Sequence, residues 1–280
     1  MALLRWLRRL GGSRDEATTD IDEALWQQTL QQFAFLCASD TAALRRLTRA
    51  FLQSKEFHGA NGLQITDAIA VAIAAQACLP VLALRRPLSG IDWYDDFVGI
   101  VVHPGSVRAR RQTVDEGGIV HAYDEILTGE AMQGGPVTLS WQDVAASGDS
   151  AKDGYNVVIH EFVHKIDMRD GAADGCPPLY VGFMGAASAR AARTAWLAAL
   201  EHEYLAFGDR LSLAERFGAA PVWLDPYAAT SIDEFFAVTS EAYFVNRARF
   251  TAEFPALRDL FDRFFRPDGD AAPQDFAAPR

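Results

Sequence analysis

The chain has 280 residues, of which 50% are hydrophobic and 22% charged, a balance that excludes a disordered protein and lets a core form without disulfide staples. Lys plus Arg number 26 against 37 Asp plus Glu, for a formal charge of −11, which excludes a nucleic-acid groove running over the whole surface. Cys37, Cys78 and Cys176 are widely spaced and form no CxxC, so reduced, mostly buried thiols are expected.

The start, MALLRWLRRLGG, carries Arg5, Arg8 and Arg9 inside its apolar run. A signal peptide keeps its charge ahead of a longer apolar stretch, so the cytoplasm is the expected compartment. Residues 1–19 and 266–280 are rich in polar, Gly, Pro and Ala residues without periodicity and are expected to be loosely ordered around a single domain over 20–265. Asp20 is placed to cap a first helix carrying Ile21, Leu25 and Trp26, and Asp40 to cap a second with Leu44, Leu47 and Phe51 at helical spacing. Thr66 opens a third, TDAIAVAIAAQACL, apolar nearly all round and ended by Pro80, which predicts a buried helix. Asp67, Gln76 and Pro80 interrupt the stretch and argue against a membrane span.

The period then changes. Val81–Leu84, Phe97–Val102, Gly118–Tyr123 and Pro136–Trp141 read as strands of one mixed or antiparallel sheet. Pro136 after Gly134 and Gly135 suggests that the last is an edge strand, because Pro cannot donate within a ladder. Arg108, Arg110 and Arg111 read as a solvated loop, and Asp115–Gly118 as a turn. Helices are predicted near 153–167, 185–207, 231–247 and 254–265. Helices, strands and helices in succession give an α+β domain.

One segment carries chemistry. In Val157-Val158-Ile159-His160-Glu161-Phe162-Val163-His164-Lys165-Ile166-Asp167, His160 and His164 are one helical turn apart and can aim two imidazole nitrogens at one metal. Glu161 projects beside them, where it can take a proton from a water that the metal activates. Chance produces such an HExxH in roughly one comparable chain in 150–200, and the apolar frame around it suits a dry, rigid site. His58, His103, His121 and His202 lack metal-ligand spacing.

Zinc in a hydrolase takes three protein ligands and leaves one position open. Asp170 is a local candidate for the third, but that arrangement needs a sharp turn where this chain has Asp167. The stronger candidate is Glu234 in Ser231-Ile232-Asp233-Glu234-Phe235-Phe236-Ala237-Val238-Thr239-Ser240-Glu241. Ser231 and Glu234 also fit a capping box. Against that, Glu234 and Glu241 are seven apart on a helix that must be largely buried, and buried carboxylates need partners. Glu234 is assigned as third ligand, and Glu241 as the group that orients a ligand imidazole. Met168–Gly185, with its Gly and Pro residues, is a candidate lid.

VVIHEFVHKID together with DPYAAT and DEFFAVTSEAYF strongly resembles the Mlc titration factor A family of bacterial zinc peptidases, which share a metallopeptidase core with the catalytic domain of anthrax lethal factor. The resemblance spans roughly residues 20–265, including GGPVTLSW, and implies a zincin-like fold and one Zn2+ per chain. It implies zinc ligation by His160, His164 and Glu234, with Glu161 as catalytic base. Tyr227, seven residues before Glu234, is implied as the donor to the oxyanion. Ile232-Asp233 departs from the family's usual residues before the third ligand, and Asp233 is a competing carboxylate. The resemblance further implies aminopeptidase activity on short peptides and sequestration of Mlc, a transcriptional repressor of glucose-uptake genes. A binding protein with secondary or no peptidase activity is the alternative.

Overall fold

The computed structural model describes residues 20–105, 107–114, 120–127, 129–171 and 173–267, so the expectations for residues 1–19, the 115–118 turn and most of the tail lie outside the described residues. In chain order the elements are α1 (Glu23–Gln32), α2 (Thr41–Ser54), β1 (Glu56–Gly59), α3 (Asp67–Cys78), β2 (Gly99–His103), β3 (Val107–Val114), β4 (Val120–Leu127), β5 (Gly129–Ala131) and β6 (Val137–Ser140). Helices α4 (Trp141–Ser150), α5 (Val157–Asp167), α6 (Ala189–Phe217), α7 (Ile232–Val245), α8 (Arg247–Glu253) and α9 (Pro255–Phe265) follow. The fold class is α+β, as the order of periods predicts.

Local chemistry explains the helix starts. Asp40 accepts from the amides of Ala42 and Ala43, and Thr66 accepts from Ile69, each satisfying a donor that a first turn leaves open. Asp22, not Asp20, caps α1 through the Leu25 amide, because the helix begins three residues beyond Asp20. Helix α3 is buried all round, and no helix among the described residues is long and apolar enough to cross a membrane.

The sheet corrects several expectations. Val81–Leu84 is not a strand. Its amides close tight turns, Leu82 to Leu79 and Leu84 to Val81, and its apolar residues fill the core without entering a ladder. Strand β3 covers the arginines expected in a loop, and pairs antiparallel with β4 in a separate two-stranded sheet. The main sheet has the order β1-β2-β6-β5, with β1, β2 and β6 parallel and β5 antiparallel to β6. The GGPVTLSW strand is therefore interior. Pro136 lies just before β6, so its missing N–H costs no ladder bond and does not mark an edge. The edge beside α5 is the three-residue β5.

Helix α5 runs behind this edge. Phe162 locks it into the core through ring contacts to Tyr94 at 5.0 Å and Phe51 at 5.6 Å between centroids. Lys165, wholly buried, donates to the carbonyls of Met132 (2.7 Å) and Gly135 (2.9 Å). A Lys ammonium on α5 thus clamps the turn that joins β5 to β6, and it is satisfied by carbonyls and by Asp96 at 3.7 Å, as a buried charge must be. On its other side α5 packs against α7, whose far face sits in an aromatic cluster with Trp196, Phe261 and Phe265. All three thiols are unpaired, Cys78 and Cys176 buried and Cys37 exposed.

Asp167 ends α5 with no exposed surface. Its Oδ2 accepts from the Gly175 amide at 2.8 Å, while Oδ1 has no partner. Burial pushes its carboxyl up to about 7, against the lowering effect of the Gly175 bond. The unfolded chain releases this proton near pH 4 and the folded chain near pH 7, so the unfolded state binds fewer protons in that window and stability falls as pH rises through it. We expect Asp167→Asn to remove a destabilisation on the order of 4 kcal/mol at pH 8. Melting curves of the two proteins should converge near pH 4 and separate above pH 7, with the variant higher; parallel curves would refute this.

Candidate metal centre

Helix α5 starts at Asn156, whose Oδ1 accepts from the Ile159 amide at 2.9 Å. That start phases the helix so that His160, Glu161 and His164 face the cleft beneath β5. Helix α7 lies alongside and brings Glu234 from its first turn and Glu241 from two turns further on. Among the described residues, one group of His, Cys, Asp or Glu side chains converges as metal ligands do: His160, His164 and Glu234. His160 Nε2 stands 3.1 Å from Glu234 Oε2 and 3.2 Å from His164 Nε2, and His164 Nε2 stands 3.2 Å from Glu234 Oε2.

That triangle fits a metal. Ligand atoms about 2.0–2.1 Å from a tetrahedral ion stand about 3.3 Å from one another. The donor chemistry fits as well. Glu241 Oε1 lies 2.7 Å from His160 Nδ1, which assigns the proton to Nδ1 and leaves the Nε2 lone pair facing His164 and the Glu234 carboxylate. Electron pairs facing each other at this range repel unless a positive charge sits between them. Without an ion a proton on Nε2 serves as that charge: burial opposes it, but the bonds of His160 to Glu234 and Glu241 outweigh burial and hold its pKa well above the ordinary value. Burial likewise resists ionisation of Glu234, and the bonds from His160 and His164 overcome it, holding the carboxyl well below the usual range.

Glu234 does not cap its helix. Ser231 makes no side-chain cap bond, and Glu234 turns its Oε2 to the imidazoles and its Oε1 to Tyr227, whose hydroxyl donates at 3.1 Å. Tyr227 stands on a 3-10 turn, Pro226–Ala229, fixed by Asp225 accepting from the Tyr227 amide at 2.9 Å. It is 42% exposed, at the rim of the site. Glu241 is 1% exposed and takes the Asn156 amide on its second oxygen. Burial raises its pKa, against the His160 bond that lowers it. Asp170 is outside the converging group, and Asp233 lines the cleft without joining it.

Glu161 is 5% exposed beside the histidines. Burial lifts its carboxyl to about 7, with the charges of His160 and His164 working the other way. A carboxylate poised near neutrality suits a general base. The cleft above has a volume of about 540 Å³. Six carboxylates line it, those of Glu130, Glu161, Asp225, Asp233, Glu234 and Glu241, and among the described residues it is lined by no Lys or Arg.

Sequence reasoning passed over Asn156 and Gln76. Asn156 donates from Nδ2 to Gln76 Oε1 at 2.7 Å, so a buried polar chain runs from α3 through the α5 cap to Glu241 and His160. A Gln within an otherwise apolar helix was the available signal, because a buried amide must find a partner. The candidate lid is fastened rather than hinged over its middle. Gly175 O accepts from Trp196 Nε1 at 2.6 Å, Asp174 pairs with Arg193, and Phe183 is buried.

Comparison with known proteins agrees with this geometry. The model of a family described as glucose-regulated metallo-peptidase M90 matches residues 4–266. A protein named Mlc titration factor A from Klebsiella pneumoniae subsp. pneumoniae is 32% identical over 250 residues, covering 88% of this chain and 87% of that protein. One of the same name from Salmonella paratyphi B is 33% identical over 235 residues, covering 83% of this chain and 81% of its own.

Proposed function

The chain belongs to the glucose-regulated metallopeptidase family M90, and from that premise we propose that it is a zinc aminopeptidase whose ion is held by His160, His164 and Glu234. The observation that carries the reading is the triangle of three donor atoms 3.1–3.2 Å apart. When bound, zinc supplies Lewis acidity toward water and the peptide carbonyl. The chain's own residues do the rest. Glu161 takes a proton from the attacking water and delivers it to the leaving amine. Tyr227 donates its hydroxyl to the developing oxyanion, turning from Glu234 to do so. Glu241 holds the His160 ring in the tautomer that presents Nε2. The substrate main chain lies along β5, which is the strand at the sheet edge beside the cleft.

The charge of the cleft supports cleavage from the amino end. Besides the ligand Glu234, its orienter Glu241 and the base Glu161, the cavity is lined by Glu130, Asp225 and Asp233 and by no Lys or Arg among the described residues, which favours a cationic group, and an unblocked peptide enters with its α-amino group charged. We expect dialysis against a chelator to abolish hydrolysis, and one equivalent of Zn2+ to restore it. We expect N-acetylation of a short peptide to lower kcat/KM by on the order of 100-fold, the scale of a lost charge-assisted hydrogen bond. Full activity in the metal-free protein would overturn the zinc assignment, and equal rates on blocked and free peptides would overturn the aminopeptidase assignment.

A second reading rests on the name that the relatives carry, Mlc titration factor A: the chain also captures an Mlc-like protein. Binding by wild type and Glu161→Gln alike would make capture independent of catalysis, and binding by neither would leave the peptidase alone.

A further inference from the structure

Gly129 is the first residue of β5, paired with Leu139 of β6, and it lines the cleft. A Cβ built on it would stand 2.4 Å from Glu161 Oε1, 2.6 Å from Cγ and 2.7 Å from Cδ. Contacts this short do not occur between unbonded carbon and oxygen atoms, so something must give. Backbone conformation does not require glycine here, because Gly129 is not among the residues with positive φ. What requires it is the space taken by the Glu161 side chain.

Both backbones are held. Helix α5 is held from behind by Phe162 in its ring cluster. Strand β5 is held by its ladder with β6 and by Lys165, which clamps the carbonyls of Met132 and Gly135 to α5 itself. The Glu161 side chain is what moves, and the contact at Cγ means that its stem moves along with the carboxylate.

We propose that Gly129 is the positioning residue for Glu161: its missing side chain is the slot in which the carboxylate of the general base is seated against the edge strand. The proposal rests on Glu161 being that base. Gly129 touches no reacting atom, and its missing side chain acts on the chemistry through Glu161. A displacement of about 1 Å in a proton-transfer group costs on the order of 100-fold in rate. Zinc affinity, set by His160, His164 and Glu234, is left as it was.

The test is a pair of double-mutant cycles. In the first, Gly129→Ala lowers kcat on a short unblocked peptide about 100-fold, with KM and Zn2+ affinity changed less than about 3-fold, and it has no further effect in the Glu161→Gln background. An equal loss in both backgrounds, or no loss in the wild type, overturns the proposal. The second cycle needs no activity. Glu161→Ala removes the Cγ, Cδ and oxygens that the new Cβ would meet. Whatever lowering of Tm Gly129→Ala causes in the wild type, unfolding included, is relieved when Glu161→Ala is present. A lowering that persists in the double variant shows that Gly129 serves the strand and not Glu161. An active Glu161→Gln protein would reject the base assignment itself, while the melting cycle still decides whether Gly129 seats that side chain.

Discussion

Glu161→Gln is expected to lower kcat by about 10³–10⁴-fold, the upper range for loss of a general base, while the protein keeps one Zn2+ per chain. The amide has nearly the shape of the carboxylate and fills the slot at Gly129, but it cannot take a proton from water. Its effect on stability runs the other way. Glu161 is 5% exposed, and burial lifts its carboxyl to about 7, so above pH 7 the metal-free folded protein carries a carboxylate at a cost that the neutral amide avoids. A less active and more heat-resistant variant is the expected pair of results, read by peptide hydrolysis with zinc supplied and by thermal melting of the metal-free proteins at pH 8. The wild-type profile has a matching sign. Glu161 works as a base only after releasing its proton, so kcat/KM climbs with pH on the acid side of its profile. A metal-loaded Glu161→Gln protein with wild-type turnover would remove Glu161 from the mechanism.

The second large effect is on the metal. Glu234→Ala deletes one corner of the donor triangle and leaves two imidazoles, which cannot close a hydrolytic zinc site. Zn2+ affinity, measured by competition with a chromophoric chelator, is expected to fall by more than about 100-fold. Glu241→Gln keeps an acceptor for His160 Nδ1 but loses its charge, and is expected to cost about 10–100-fold, the range for groups that orient a ligand. The order of the two distinguishes ligand from orienter. If Glu241→Gln released zinc more readily than Glu234→Ala, the two assignments would have to be exchanged. Tyr227 donates to Glu234 Oε1 at 3.1 Å, so Tyr227→Phe should change Zn2+ affinity far less than either.

Composition and period carried the fold class. The switch from period 3.6 to short β-branched runs and back gave helices, strands and helices, and the observed α+β order follows it. The reading failed where an apolar run had two explanations. Val81–Leu84 is hydrophobic because it is buried, and burial does not distinguish a turn in the core from a strand. Strand order failed for a related reason. Pro136 constrains its own backbone, whereas the neighbours of β6 are chosen by tertiary packing. The place at the edge therefore fell to β5, three residues that carry no strand signature.

The site divides along the same line. Two histidines one turn apart, with an acid between them on an apolar helix, are a local pattern, and the sequence by itself determined that this helix offers a metal two imidazoles with a carboxyl group beside them. The third donor, seventy residues on, was inferred from the cost of burying carboxylates. Only the tertiary structure decided which oxygen meets which nitrogen, because that depends on how α7 lies against α5. The same holds for Asn156 with Gln76, for Lys165 across the β5–β6 turn, and for Gly129 against Glu161. Each is a contact between segments distant in sequence. Helix and strand period is written along the chain, but the space one side chain leaves for another exists only after the segments have packed.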